Sequence, residues 1–173
     1  MLVKGEAQVD YGQILVESEA WSEFDPYRAF AGQEGVGLCG GGTKGQLLVL
    51  TGLRIGGVGF TVELHDDRPA ADETWEEIVE VPFRPVSAET KLRQWNGRAS
   101  WEPGLEERDY RVRYCATAMD DGRGKDVRED DEPQTGDRYL LQFWPASQEP
   151  ARLLKQTSRT AASWHRVATS PVG

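Results

Sequence analysis

Apolar and polar positions alternate over short stretches along this chain, and glycine, proline and acidic runs interrupt them; this pattern predicts strands. The clearest case is residues 58–65. There Phe60, Val62 and Leu64 face one way and Thr61, Glu63 and His65 the other, as expected of a strand with one wet face. Residues 7–17 read as a first strand with a bulge at Gly12. Residues 35–42 read as a strand of small residues and a turn. Residues 46–52 form an apolar run suited to a central strand, and the Gly56-Gly57 turn makes a hairpin with 58–65. In residues 77–84, Val79, Val81 and Phe83 point inward, and Pro82 marks an edge or a bulge. Asn96-Gly97 predicts a hairpin between residues 92–95 and 99–101, with Trp95 and Trp101 on one face. Residues 109–115 and 137–144 are aromatic and β-branched strands flanking a long polar run. Arg111 and Arg113 share a strand face and are expected to pair with nearby Glu side chains. The aromatics of the 18–33 loop, among them Trp21, Phe24, Tyr27 and Phe30, are expected to fold back on the sheets.

About eight short strands with regular turn signals predict an all-β fold, an antiparallel β-sandwich with long loops. The expected division is a domain over residues 1–147 and a partly ordered C-terminal tail over 148–173, with short helices near 151–154 and 161–165. At 173 residues with 38% hydrophobic and 28% charged positions, the chain is long enough for one sizeable core. Cys39 and Cys115 form no CxxC pair and suit buried free thiols. The first residues hold no apolar signal core, and no run approaches a membrane span. A cytoplasmic location without membrane contact is expected.

Charge then narrows the function classes. The formal net charge is −9 and the sequence pI about 4.8, which disfavours nucleic acid and favours a basic protein partner. Acidity for solubility is the competing account. The carboxylates concentrate in two places, residues 63–80 and 119–137. The candidate partner-binding residues are Asp66, Asp67, Asp72, Glu73, Asp120, Asp121, Glu129, Asp130, Asp131 and Glu132. Catalytic and cofactor signatures are absent: there is no Walker loop, HExxH, Cys/His cluster or Gly-x-Ser-x-Gly. No cofactor, metal or enzymatic activity is expected. An alternative is a calcium- or carbohydrate-binding module, because residues 120–126 place carboxylates around glycines; the EF-hand order fails there.

Residues 8–16, 79–83 and 105–114 resemble segments of the competence protein J (ComJ/Nin) family. The resemblance implies a small inhibitor of a DNA-entry nuclease, closed by a strand equivalent to Tyr139-Leu140-Leu141. It also implies a non-enzymatic, immunity-type role in which carboxylates occupy a basic cleft made for DNA. The acidic loop, the glycine-rich segment and the C-terminal tail depart from the family pattern.

Overall fold

The computed structural model describes residues 2–19, 23–94 and 100–169. In chain order they form β1 (Leu2–Val9), β2 (Gln13–Glu17), β3 (Cys39–Gly40), β4 (Gln46–Leu50), β5 (Gly56–Leu64), β6 (Glu77–Phe83), β7 (Lys91–Arg93), β8 (Ser100–Trp101), β9 (Tyr110–Thr117), α1 (Met119–Lys125), β10 (Arg138–Pro145), β11 (Arg152–Lys155) and α2 (Arg159–Thr169). The fold is mostly strand, in two open sheets. One runs β1-β5-β10-β9-β6-β11 and the other β3-β4-β2-β7-β8.

One apolar cluster joins the two sheets. Phe60 and Val62 of β5, Val79 of β6, Tyr114 of β9 and Phe143 of β10 meet Ile14 of β2, Leu47 of β4 and Leu92 of β7. The rings of Phe60, Tyr114 and Tyr139 stack with centroids 6.0 to 6.4 Å apart. Such pairs stabilise beyond their buried area. The inward set of β5 is the one its alternation predicts.

Several expectations are corrected. The described residues hold eleven strands, not about eight. The sheets are not antiparallel throughout: β10 runs parallel to β5, from Arg138 opposite Gly59 to Phe143 opposite Leu64. Residues 7–17 are two strands in different sheets. Tyr11 and Gly12 both take left-handed φ, 53° and 65°, and that turn, not a bulge, carries the chain across. A Cβ on Gly12 would also lie 3.1 Å from the Thr51 carbonyl. Likewise β4 and β5 lie in opposite sheets and form no hairpin. Residues 152–155 are a strand, not a helix, because Leu153 aligns with Val79 on the edge of β6; sheet pairing overrides the helix preference of leucine. The helix expected near 161–165 is present within α2, and Ala161 enters the core.

Other expectations locate as follows. Cys39 and Cys115 are free and buried. The glycines of 35–42 admit close backbone contacts: a Cβ on Gly37 would sit 2.5 Å from the Trp164 carbonyl, and one on Gly40 2.5 Å from that of Ala29. Pro82 lies beyond the stretch of β6 that β11 covers. Phe24 and Phe30 fold back against Leu48 and Leu50, whereas Tyr27 is exposed. Trp21, Trp95 and Asn96-Gly97 lie outside the described residues, although β7 and β8 do pair antiparallel. No helix among the described residues is long and apolar enough to cross a membrane.

Candidate protein-binding surface

Strand register decides where the acidic residues meet. The C-terminal ends of β1 and β9 and the N-terminal ends of β5, β6 and β10 share one end of the six-stranded sheet. The loops there carry Asp72, Glu73, Asp120, Asp121, Glu129, Asp130, Asp131 and Glu132. Asp66 and Asp67 follow the other end of β5, where the His65 N–H donates to the Phe143 carbonyl. The structure thus groups eight of the ten expected residues by sheet end and sets two apart.

The 119–137 connection is not a loose loop. Its first part is α1, with Met119 and Gly122 buried. Gly122 packs on Asp137, whose Oδ2 accepts from the Tyr139 hydroxyl at 2.6 Å and from the Leu53 N–H at 3.3 Å. Further on, the Arg54 and Ile55 N–H groups donate to the Asp126 carbonyl. Arg128, buried at 8% exposure, donates to the carbonyls of Gly57, Glu132 and Pro133 and ion-pairs with Glu6 at 3.0 Å. A buried guanidinium therefore pins the 129–132 turn to β5 and leaves Glu129, Asp130 and Asp131 exposed. Asp10, Glu129 and Asp130 line a shallow cleft of about 310 Å³ beside Arg128.

Three of the expected residues are engaged within the chain. Asp120 accepts from the N–H groups of Arg159 and Thr160 and from the Thr160 hydroxyl. Burial works to raise its carboxyl, and these hydrogen bonds outweigh it and hold the group below the usual range. Asp72 accepts from the Thr74 N–H and hydroxyl, which lower its carboxyl. Glu132 ion-pairs with Lys125 at 2.7 Å. The side chains of Asp66, Asp67, Glu73, Asp121, Glu129, Asp130 and Asp131 hold no hydrogen bond or ion pair within the described residues.

Loop 65–76 crosses the outer face of the six-stranded sheet and covers a charge network. Glu80, 2% exposed, receives Arg113 at 2.9 Å, Arg68 at 3.2 Å and Arg111 at 3.5 Å. The expected pairing of Arg111 and Arg113 with a glutamate is therefore present. Burial pushes the Glu80 carboxyl up, and the Arg113 and Arg68 guanidiniums overcome it, leaving it below the usual range. Arg113 also donates to the Pro69 and Ala70 carbonyls and lies 5.0 Å from the Trp144 ring centroid. This network fastens the loop to the sheet.

Beside the loop, a groove of about 700 Å³ opens on the same face, lined by Lys4, Glu6, Thr61, Trp75, Gln134 and Arg138 among others. Sequence reasoning missed it, because its walls come from β1, β5, β10 and two loops far apart in the chain. Burial pushes the Cys115 thiol to about 12 and raises that of Cys39 as well, so neither is a ready nucleophile. Among the described residues no three His, Cys, Asp or Glu converge as a metal-holding group. Residues 120–126, weighed as a calcium loop, are largely the helix α1, with Asp120 turned to α2 and Asp126 to Arg54.

No protein-family model and no curated protein matches the sequence. Among solved structures, the chain is similar to "Crocagin biosynthetic gene J", at 13% identity and a TM-score of 0.50, over 85% of this chain and 98% of that one. It is also similar to ComJ from Bacillus subtilis, the inhibitor of the DNA-degrading activity of NucA. That match has 15% identity and a TM-score of 0.56, over 84% of this chain and 99% of the other. The resemblance to the competence protein J family is therefore one of overall structure across most of the chain.

Proposed function

We propose that this protein is a non-enzymatic binding protein, an inhibitor or immunity-type protein that neutralises a basic protein partner such as a nuclease. One observation carries the reading. Glu129 and Asp130 line a cleft on a turn pinned by buried Arg128, and neither side chain ion-pairs within the described residues. Carboxylates held apart on a stiff support suit the lysine and arginine side chains of a DNA-binding cleft, and they speed the encounter with it. The similarity to ComJ supports an inhibitor-type role, since that protein inhibits a nuclease.

The test is capture of partners from lysate on the immobilised protein at low salt, followed by a salt titration. A basic protein is retained, with affinity falling as salt rises. Retention of only acidic or neutral proteins, or of a partner indifferent to salt, overturns the reading. Asp130→Lys with Asp131→Lys weakens the capture, whereas Asp66→Lys with Asp67→Lys, away from the acidic end, has the smaller effect.

A further inference from the structure

The 700 Å³ groove holds charges of both signs, and only one sign is free to meet a ligand. Its two carboxylates are engaged. Glu6 accepts from Gln134 at 2.9 Å and from Gln8 at 3.1 Å and pairs with Arg128; these contacts lower its carboxyl despite some burial. Asp72 is closed in its turn with Thr74. Its two cations are not engaged: neither the Lys4 nor the Arg138 side chain hydrogen-bonds or ion-pairs within the described residues, and both residues are exposed. Lys4 stands opposite Thr61 and Arg138 opposite Gly59, so they flank β5 from either side. Two strand spacings and a two-residue offset along the strands separate their backbones by about 12 Å, a gap that two long side chains close around one anionic group.

The other lining groups agree with a peptide-like anion. Gln134 reaches the groove with an amide and Thr61 with a hydroxyl. Trp75, partly buried against Ile78, Cys115 and Leu140, gives one wall an indole held by the sheet. The Glu6–Arg128 pair forms the ridge between this groove and the cleft of Asp10, Glu129 and Asp130. The sheet end therefore presents free negative charge on one side of a ridge and free positive charge on the other.

We propose that this groove receives a carboxylate-bearing segment of the same protein partner, clasped between Lys4 and Arg138. The inference rests on the proposed function for the identity of the partner, not for the chemistry of the groove. The cleft draws a basic surface in; the groove sets the register of the complex by demanding an acidic side chain at one position. Partners basic throughout lack that side chain and bind less well.

Two measurements test this separately. In the first, a terminally blocked tetra-glutamate peptide is titrated into the isotope-labelled full chain and amide shifts are followed by NMR. The expected shifts centre on Lys4, Thr61, the Trp75 indole and Arg138, with tetra-glutamine giving none. Removing either cation, by Lys4→Gln or Arg138→Gln, weakens binding about tenfold, as loss of a charge-assisted hydrogen bond does. Both residues are exposed, and an unchanged melting temperature confirms that the variants fold. Shifts centred on Arg111 and Arg68, or affinity unchanged in both variants, overturn the groove. Tighter binding by inorganic phosphate or a short oligonucleotide than by the peptide overturns the carboxylate assignment. In the second measurement, any partner captured from lysate is tested against Arg138→Gln. Capture that is unaffected removes the groove and leaves the inhibitor reading; peptide binding without capture of any basic partner does the reverse.

Discussion

At the residue scale, buried charge in this protein is matched closely. Glu80 lies among Arg68, Arg111 and Arg113, with Arg111 4% and Arg113 1% exposed. Glu80→Ala leaves two buried guanidiniums without their carboxylate, so it is expected to cost about 3–5 kcal/mol in urea unfolding. The sign with pH follows from the lowered carboxyl: its contribution is complete above the unfolded glutamate pKa and is lost as pH falls through the lower folded value. His165 adds a second acid-sensitive point. Its Nδ1 accepts from the Gly37 N–H at 2.9 Å, and burial lowers its pKa. Protonation removes that acceptor and places a charge inside the fold. Stability should thus be complete above about pH 6.5, the unfolded histidine value, and decline as pH falls below it. His165→Gln should flatten that part of the stability–pH curve; an unaltered slope would assign it elsewhere. Sequence spacing foretold the Arg111 and Arg113 pairing because both lie on one face of a strand. It gave no sign of the His165 contact, whose partner is 128 residues away.

At the element scale, α2 is held at its start by carboxylates from elsewhere. Glu77 accepts from the Thr157 and Ser158 N–H groups, Asp120 from those of Arg159 and Thr160, and the Ser158 hydroxyl from that of Ala161. These are the donors that a helix start leaves without intrahelical partners. Asp120 was expected to touch a partner, and here it fastens the C-terminal helix to α1. Asp120→Ala should therefore lower stability by about 1 kcal/mol, as loss of a helix cap does, with little change in partner capture. Thermal unfolding and capture measured on one variant separate the two roles. Gly37 is the complementary point at the middle of α2, where it packs on Trp164 and His165. A methyl group there meets the Trp164 carbonyl, so Gly37→Ala should cost about 1–3 kcal/mol by overpacking. The glycine run was legible as unusual, but only tertiary contacts explain it: the docked helix at Gly37 and the backbone of Ala29 at Gly40.

At the scale of the whole molecule, the charge distribution has a direction. Eight of the ten expected carboxylates lie at one end of the six-stranded sheet, six on the connection pinned by Arg128 and Asp137 and two on the loop held by Arg113. Reversing charge at Glu129, Asp130 and Asp131 should slow association with a basic partner by about tenfold or more at low salt, with a smaller effect on dissociation. Stopped-flow mixing at two salt concentrations checks this; an effect confined to the dissociation rate would contradict electrostatic steering. Arg138→Gln, on the other side of the ridge, should act mainly on dissociation, because a clasped carboxylate acts after the encounter. Taken together, the two substitutions distinguish attraction from orientation.

The sequence by itself determined the β-rich character, the inward faces of β5 and β6, the buried cysteines and the acidic character, because alternation and composition act through near neighbours. It also carried the resemblance to competence protein J. Only the tertiary structure decided that residues 7–17 divide between two sheets, that β10 runs parallel to β5, and that residues 148–169 supply an edge strand and a packed helix. The same holds for which carboxylates are free and for the groove of Lys4 and Arg138. Each of these depends on strand order and register between distant segments, and spacing along the chain does not encode them.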